Sequence, residues 1–164
     1  MPRRHNQQVI YLAIVVSEFN KEITFSMLQS ARDHTANVKA EIRYILYVPG
    51  TFDIPLAVEQ LLKKRNVDAV VTLGAVIKGD TRHDDIVAEN AARLIADLSL
   101  KYGKPVTLGI AGPGMTIEQA RERTKLVPVR AINAAVNMVL RLRKLQNNAA
   151  EAGIVVVNDT AYNN

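Results

Sequence analysis

Between Gly74 and Asp85 the chain reads GAVIKGDTRHDD, joining an apolar run, DAVVTL, to a long helical pattern that starts near Asp84. A strand that ends in glycines, a hydroxyl, cations and one histidine, and then turns into a helix, can assemble a site for an anion and a proton transfer. His83 is the histidine of that loop, and an imidazole can both take and give a proton near neutrality. A surface or helix-capping histidine is the alternative. Asp84 and Asp85 could orient the ring or simply place negative charge at the helix N-terminus. Gly79, Asp80 and Thr81 could present amides and a hydroxyl to a phosphate, but Asp80 opposes an anion unless a cation is close. Arg123, in the segment QARER, could be that cation or an ordinary solvated arginine.

Phe19 and Phe52 both fall in loops, where a large aromatic can stack on a planar heterocycle; burial in the core is the other reading for Phe52. The chain has neither a Walker loop nor a GxGxxG fingerprint, and no Ser-His-Asp order with a nucleophile elbow. One loop histidine with Asp80, Asp84 and Asp85 is too loose a set to fix a metal geometry.

The elements that must position these residues alternate. Val9 to Val16 is apolar on both parities and β-branched, as a strand covered on both faces of a parallel sheet must be. Asn20 can cap a helix carrying Ile23, Met27, Leu28 and Ala31. Polar and apolar residues alternate from Lys39 to Tyr44 and predict a half-exposed edge strand, which Pro49 and Gly50 stop. Pro55 suits the first turn of a short helix that uses Leu56, Val58, Leu61 and Leu62. A third strand spans Asp68 to Leu73, and Val87, Ala91, Leu94, Ile95, Leu98 and Tyr102 mark a helix capped by Gly103. A fourth strand, Val106 to Ile110, runs into a tight turn, AGPGMT, where Thr116 can cap a short helix. Pro128 predicts a break or kink before a last helix bearing Ile132, Ala135, Val136, Val139 and Leu142.

Strand and helix in strict alternation mean a doubly wound, four-stranded parallel α/β sheet with helices on both faces. All four strand C-termini then lie on one edge, so Ser17 to Asn20, Pro49 to Ile54, Gly74 to His83 and Ala111 to Thr116 are expected to converge. We expect an N-terminal arm over 1–8, one domain over 9–145 and a disordered tail over 146–164, with pairing of Ile154 to Val157 onto a neighbour as the alternative.

With 164 residues and 48% hydrophobic content, the chain is long enough for one domain burying roughly two-thirds of its unfolded surface. It has no cysteine, which excludes disulfides, thiolate catalysis and cysteine-ligated metals. The formal charge is +5, but the basic residues are scattered and there are only 3 phenylalanines and 5 tyrosines, which argues against nucleic acid as the ligand. No signal-peptide core follows Arg3 and Arg4, and the eight-residue run VIYLAIVV reads as a strand, so neither secretion nor a membrane span is expected.

Four segments, SEFN at 17–20, VPGTFDIPLAV at 48–58, GAVIKGDTRHDDIVAENAAR at 74–93 and GPGMTIEQARER at 112–123, together resemble the lumazine synthases, and most closely their archaeal branch. The likeness runs in order over roughly residues 9–145. It implies a flavodoxin-like fold and the condensation of 5-amino-6-ribitylaminouracil with 3,4-dihydroxy-2-butanone 4-phosphate to 6,7-dimethyl-8-ribityllumazine, releasing phosphate and water. It also implies no metal or organic cofactor, a cytoplasmic location, and a pentamer-based homo-oligomer, up to a sixty-subunit shell, with sites shared between adjacent subunits. Carried over by position, Phe19 stacks on the pyrimidine beside Asn20, Thr51, Phe52 and Asp53 hold the ring edge and ribityl hydroxyls, and Val76 and Ile77 contact the pyrimidine. Asp80 and Thr81 form the phosphate loop, His83 transfers the proton, and Arg123 binds phosphate across the subunit interface. Three positions depart from the family pattern: Asp53 where many members have Glu, TKLVPVR where they carry a lysine, leaving Lys125 or Arg130 to stand in, and Leu108 where an aromatic is usual. A non-catalytic cage-forming protein and an archaeal-type riboflavin synthase are the alternatives.

Overall fold

The computed structural model describes residues 9–148 and 153–161. Its elements are β1 (Ile10–Ser17), α1 (Lys21–Thr35), β2 (Ala40–Val48), a 3-10 turn (Thr51–Asp53), α2 (Ile54–Leu62), β3 (Ala69–Ile77), α3 (His83–Tyr102), β4 (Val106–Met115), α4 (Ile117–Glu122) and α5 (Leu126–Asn147). The four strands form one sheet in the order β2-β1-β3-β4, all parallel, which is the expected flavodoxin-like α/β fold.

The period-2 pattern of the central strands divides the core between the two faces. Ile10, Leu12, Ile14 and Val16 of β1, with Val71 and Leu73 of β3, pack under α1 and α5. Ala13, Val15 and Val70 face the other way, against Val58 and Leu62 of α2 and Ala91 and Ile95 of α3. Every residue of β1 from Leu12 to Ser17 is buried, as a strand covered on both faces requires, whereas β2 is half-exposed at the edge.

Several local signals hold. Pro55 sits in the first turn of α2, and Gly103 ends α3 with φ 61°. Thr116 caps α4, its Oγ1 accepting from Gln119 N at 3.2 Å while Gln119 Oε1 accepts from Thr116 N at 3.0 Å.

Four expectations change. β3 does not end at Leu73 but runs to Ile77, so Gly74 to Ile77 belongs to the strand rather than to the loop. β4 does not stop at Ile110 but continues through AGPGM to Met115, because the ladder shifts register between Ala75 and Ile77 and resumes at the pair Ile77–Met115. Gly112 makes this possible: at φ 104° a Cβ on it would stand 2.1 Å from the Val76 carbonyl oxygen, so only glycine can lie so close to β3. Pro128 lies inside the first turn of α5 rather than ending a helix, since an N–H missing there costs no hydrogen bond, and the break falls at 123–125. The tail beyond 145 is in part seated: α5 runs to Asn147, and Ala161 is 2% exposed against the core. The expected arm at 1–8 lies outside the described residues.

Candidate functional site

In this strand order β1 lies between β2 and β3, so the chain winds from β1 out to β2 and then crosses back past β1 to β3, and a crevice opens at the C-terminal end of β1 where the winding reverses. The four loops expected there are joined to one another by specific contacts. Glu18 N donates to Val48 O at 2.8 Å and Phe19 N to Pro49 O at 3.0 Å, binding the loop after β1 to the loop after β2. Asn20 Nδ2 donates to Ala75 O at 2.8 Å, binding it across the crevice to β3. Thr51 is buried directly over Gly74, where an added Cβ would come within 2.9 Å of its Oγ1. Lys78 N donates to Met115 O at 2.8 Å, and Asp84 Oδ2 accepts from Gly114 N at 3.1 Å, closing the chain of contacts onto β4.

Asn20 stands at the position before α1 with φ 59° and ψ 44°, and its side chain does not cap the helix as expected. The left-handed conformation turns the amide away from the helix N–H groups and towards β3, where it finds the Ala75 carbonyl. Phe19 beside it is 71% exposed and Phe52 62% exposed, which removes core burial as the reading of Phe52 and leaves two aromatic faces free at the edge. Asp53 Oδ2 accepts from Gly50 N at 2.9 Å, fixing the 3-10 turn that carries Phe52. An open depression of about 360 Å³ beside Phe19 is lined also by Glu18, Asn20, Lys21, Ile23 and Ile117. Ile117 comes from α4 and had no signal in the sequence, because only the packing of α4 brings it next to α1.

Val76 is buried and Ile77 half-buried in the core layers, so what they chiefly present at the edge is main chain. Asp80 and Thr81 are exposed in the loop that follows, and His83 is exposed as the first residue of α3 rather than in the loop itself. Neither neighbouring carboxylate orients the imidazole: Asp84 is bonded to Gly114 N, and Asp85 Oδ2 pairs with Arg82 Nε at 3.2 Å. Arg123 is exposed just after α4, and among the described residues no hydrogen bond or ion pair joins its guanidinium to Asp80, Thr81 or His83. Two residues earlier, Arg121 Nε is tied to Glu22 Oε1 at 3.1 Å. Among the described residues, therefore, the histidine and the aromatic pair share a sheet edge while no hydrogen bond or ion pair engages the arginine. No three His, Asp or Glu residues are grouped to hold a metal ion among the described residues.

The groups whose titration is displaced lie elsewhere. Glu59 Oε1 on α2 accepts from Lys101 Nζ at 3.0 Å and from Tyr102 Oη at 2.9 Å, where α3 ends at the opposite edge of the sheet. The hydrogen bond from Lys101, then that from Tyr102, holds the Glu59 carboxyl below its usual range. The same bond raises the Lys101 ammonium, and burial followed by the Glu59 bond raises the Tyr102 phenol. This network ties two helices together and is structural.

The model of the 6,7-dimethyl-8-ribityllumazine synthase family matches residues 10–143, which include all four strands and all four loops. The chain belongs to that family. Among lumazine synthases, that of Metallosphaera sedula is 52% identical over 145 residues, covering 88% of this chain and 96% of the relative. That of Methanocaldococcus jannaschii is 54% identical over 138 residues, covering 84% and 97%. A lumazine synthase of Saccharolobus islandicus is 55% identical over 139 residues, covering 85% and 90%. The likeness to the archaeal lumazine synthases thus extends over nearly the whole length of each relative.

Proposed function

We infer that this chain is a transferase of riboflavin biosynthesis that condenses 5-amino-6-ribitylaminouracil with 3,4-dihydroxy-2-butanone 4-phosphate, releasing phosphate and water to give 6,7-dimethyl-8-ribityllumazine. The observation that carries this is the family match over residues 10–143, with synthases of the same name covered almost end to end.

The site residues suit that chemistry. The free faces of Phe19 and Phe52 suit stacking of the pyrimidine, with Asn20 and the main chain of Val76 and Ile77 alongside. Thr51 supports the turn beneath the ribityl chain, and Asp53, whose Oδ2 is held by Gly50 N, has Oδ1 left for a ligand. In the reaction an amine attacks a ketone, water leaves to form an imine, phosphate is expelled, and the second amine closes the ring on the remaining carbonyl with loss of a second water. Each step moves a proton, which is the role given to His83. Expulsion of phosphate needs positive charge beside the leaving group, and Asp80 in the phosphate loop opposes it; Arg123 answers that need. Much of the acceleration then comes from holding two substrates in reactive orientation.

Among the described residues no hydrogen bond or ion pair engages the Arg123 guanidinium, which supports its delivery to the site of an adjacent subunit. Leu56, Ile86 and Leu108 are each more than half exposed, and a homo-oligomer would cover such apolar surface; we propose a pentamer with sites between subunits. No helix among the described residues is long and apolar enough to cross a membrane, and a chain without cysteine suits the reducing cytoplasm.

The test is to incubate the purified protein with both substrates, following lumazine absorbance and fluorescence together with released phosphate. Product is expected. A cage that binds but yields none, or conversion of lumazine to riboflavin, would overturn the reading. Light scattering that reports a monomer would overturn the shared site.

A further inference from the structure

The matched family residues end at 143, yet the chain returns to its own α5 well beyond that point. Among the described residues, Asn137, Arg141 and Lys144 of α5 hold the returning segment. Asn137 Oδ1 accepts from the Ala161 N–H. Arg141 Nε donates to the Asp159 carbonyl at 3.0 Å. Lys144 Nζ stands 3.2 Å from Asp159 Oδ2 and 3.5 Å from Oδ1. Positions 137, 141 and 144 follow the i, i+4, i+7 spacing that puts residues on one helix face, immediately beside the buried stripe of Ile132, Val136 and Val139.

The segment is most deeply buried at its end. Ala161 is 2% exposed and belongs to the core cluster shared by α1 and α5, whereas Ile154 and Val156 are 93% and 68% exposed. A small apolar residue thus plugs the core while the Asp159 carboxylate two residues earlier pairs with Lys144 and the Asp159 carbonyl accepts from Arg141. Asp159 Oδ2 is buried without an aligned hydrogen bond, so the Lys144 ammonium is its compensating charge.

We propose that residues 159–161 form a clasp that latches onto the Asn137–Arg141–Lys144 stripe and seals the α1–α5 layer, from a segment beyond the residues that match the family model. Closed, it clamps α5 between Asn137 and Lys144, giving Lys144 an acidic partner and Arg141 a carbonyl acceptor. Open, it uncovers the seat of Ala161 and leaves Lys144 without its acidic partner and Arg141 without its carbonyl acceptor. The Asp159 and Lys144 side chains are 38% and 41% exposed, so salt screens the ionic half of the clasp but not the plug.

Hydrogen exchange read by mass spectrometry tests this on the full chain, on Asp159→Ala and Ala161→Arg variants, and on a chain ending at Asn148. In all three altered proteins amides within 137–147 are expected to exchange at least about tenfold faster, with β1 and β3 unchanged, because the clasp opens locally. Molar salt is expected to speed the same amides in the parent and to leave Ala161→Arg where it is. Unchanged exchange at 137–147 in both point variants would overturn the proposal, as would equal acceleration in β1 and β3. The point variants carry the test if the shortened chain does not fold.

Discussion

Asn20 Nδ2 donates to the Ala75 carbonyl oxygen at 2.8 Å, across the crevice where the sheet reverses its winding, from a residue held at φ 59°. One side chain therefore fixes the loop that carries Phe19 to the strand that leads to His83. Asn20→Ala loses the bond and keeps the unfavourable backbone, so it is expected to destabilise the fold by about 1 to 2 kcal/mol. Asn20→Gly relieves the backbone and should fall between Ala and the parent. Urea unfolding midpoints give the order, and equal midpoints for Ala and the parent would remove the bond from the account.

Gly74 is required by its neighbour. A Cβ there would stand 2.9 Å from Thr51 Oγ1 and 3.5 Å from both Ile54 and Ile110, so Gly74→Ala must push the turn that carries Phe52 outward. A cost of about 1 to 3 kcal/mol is expected from overpacking, together with a raised KM for the pyrimidine substrate. Gly74→Ala with Thr51→Ser keeps the hydroxyl but frees its rotation, and should recover part of both.

His83→Ala is expected to slow turnover by about one to two orders of magnitude with little change in stability, since the side chain is exposed and unbonded to Asp84 or Asp85. Arg123→Ala should mainly raise KM for the phosphate substrate. Steady-state kinetics separate the two, and unchanged turnover in His83→Ala would sink the proton-transfer role.

The Glu59 network predicts a pH dependence with a definite sign. Its carboxyl is lowered from 4.5, so the stabilisation it brings is present above that value and is lost as pH falls through the lowered one. The raised Lys101 and Tyr102 contribute below 10.5 and 10.0 respectively, and lose their contribution as pH rises through the raised values. Glu59→Gln should therefore be less stable than the parent at neutral pH, with the gap narrowing at both extremes. Denaturant midpoints across pH check this, and a constant gap would show that charge plays no part.

The element types were legible in the residues themselves. A two-sided apolar run marked β1, the apolar run DAVVTL marked β3, the alternation around Glu41 and Arg43 marked an edge strand, and Pro55, Gly103 and Thr116 marked helix ends at the positions observed. These signals are local, because periodicity and capping act within one or two turns of chain. The motif positions were legible for the same reason, and they sufficed to point to the family.

What only the tertiary structure decided is which partner each polar group takes. Asn20 offered an N-cap and instead bonds to a carbonyl 55 residues away; Asp84 offered to orient His83 and instead holds Gly114, 30 residues on. AGPGM offered a turn and became the end of β4, because Gly112 fits against Val76. In each case the local alternative was physically sound, but a carbonyl or amide at a sheet edge must be paired, and packing brought the distant group nearer. The chain alone thus determined which residues could do chemistry and on which loops they sit. The sheet order determined that those loops meet, and which of their side chains are spent on holding the site together.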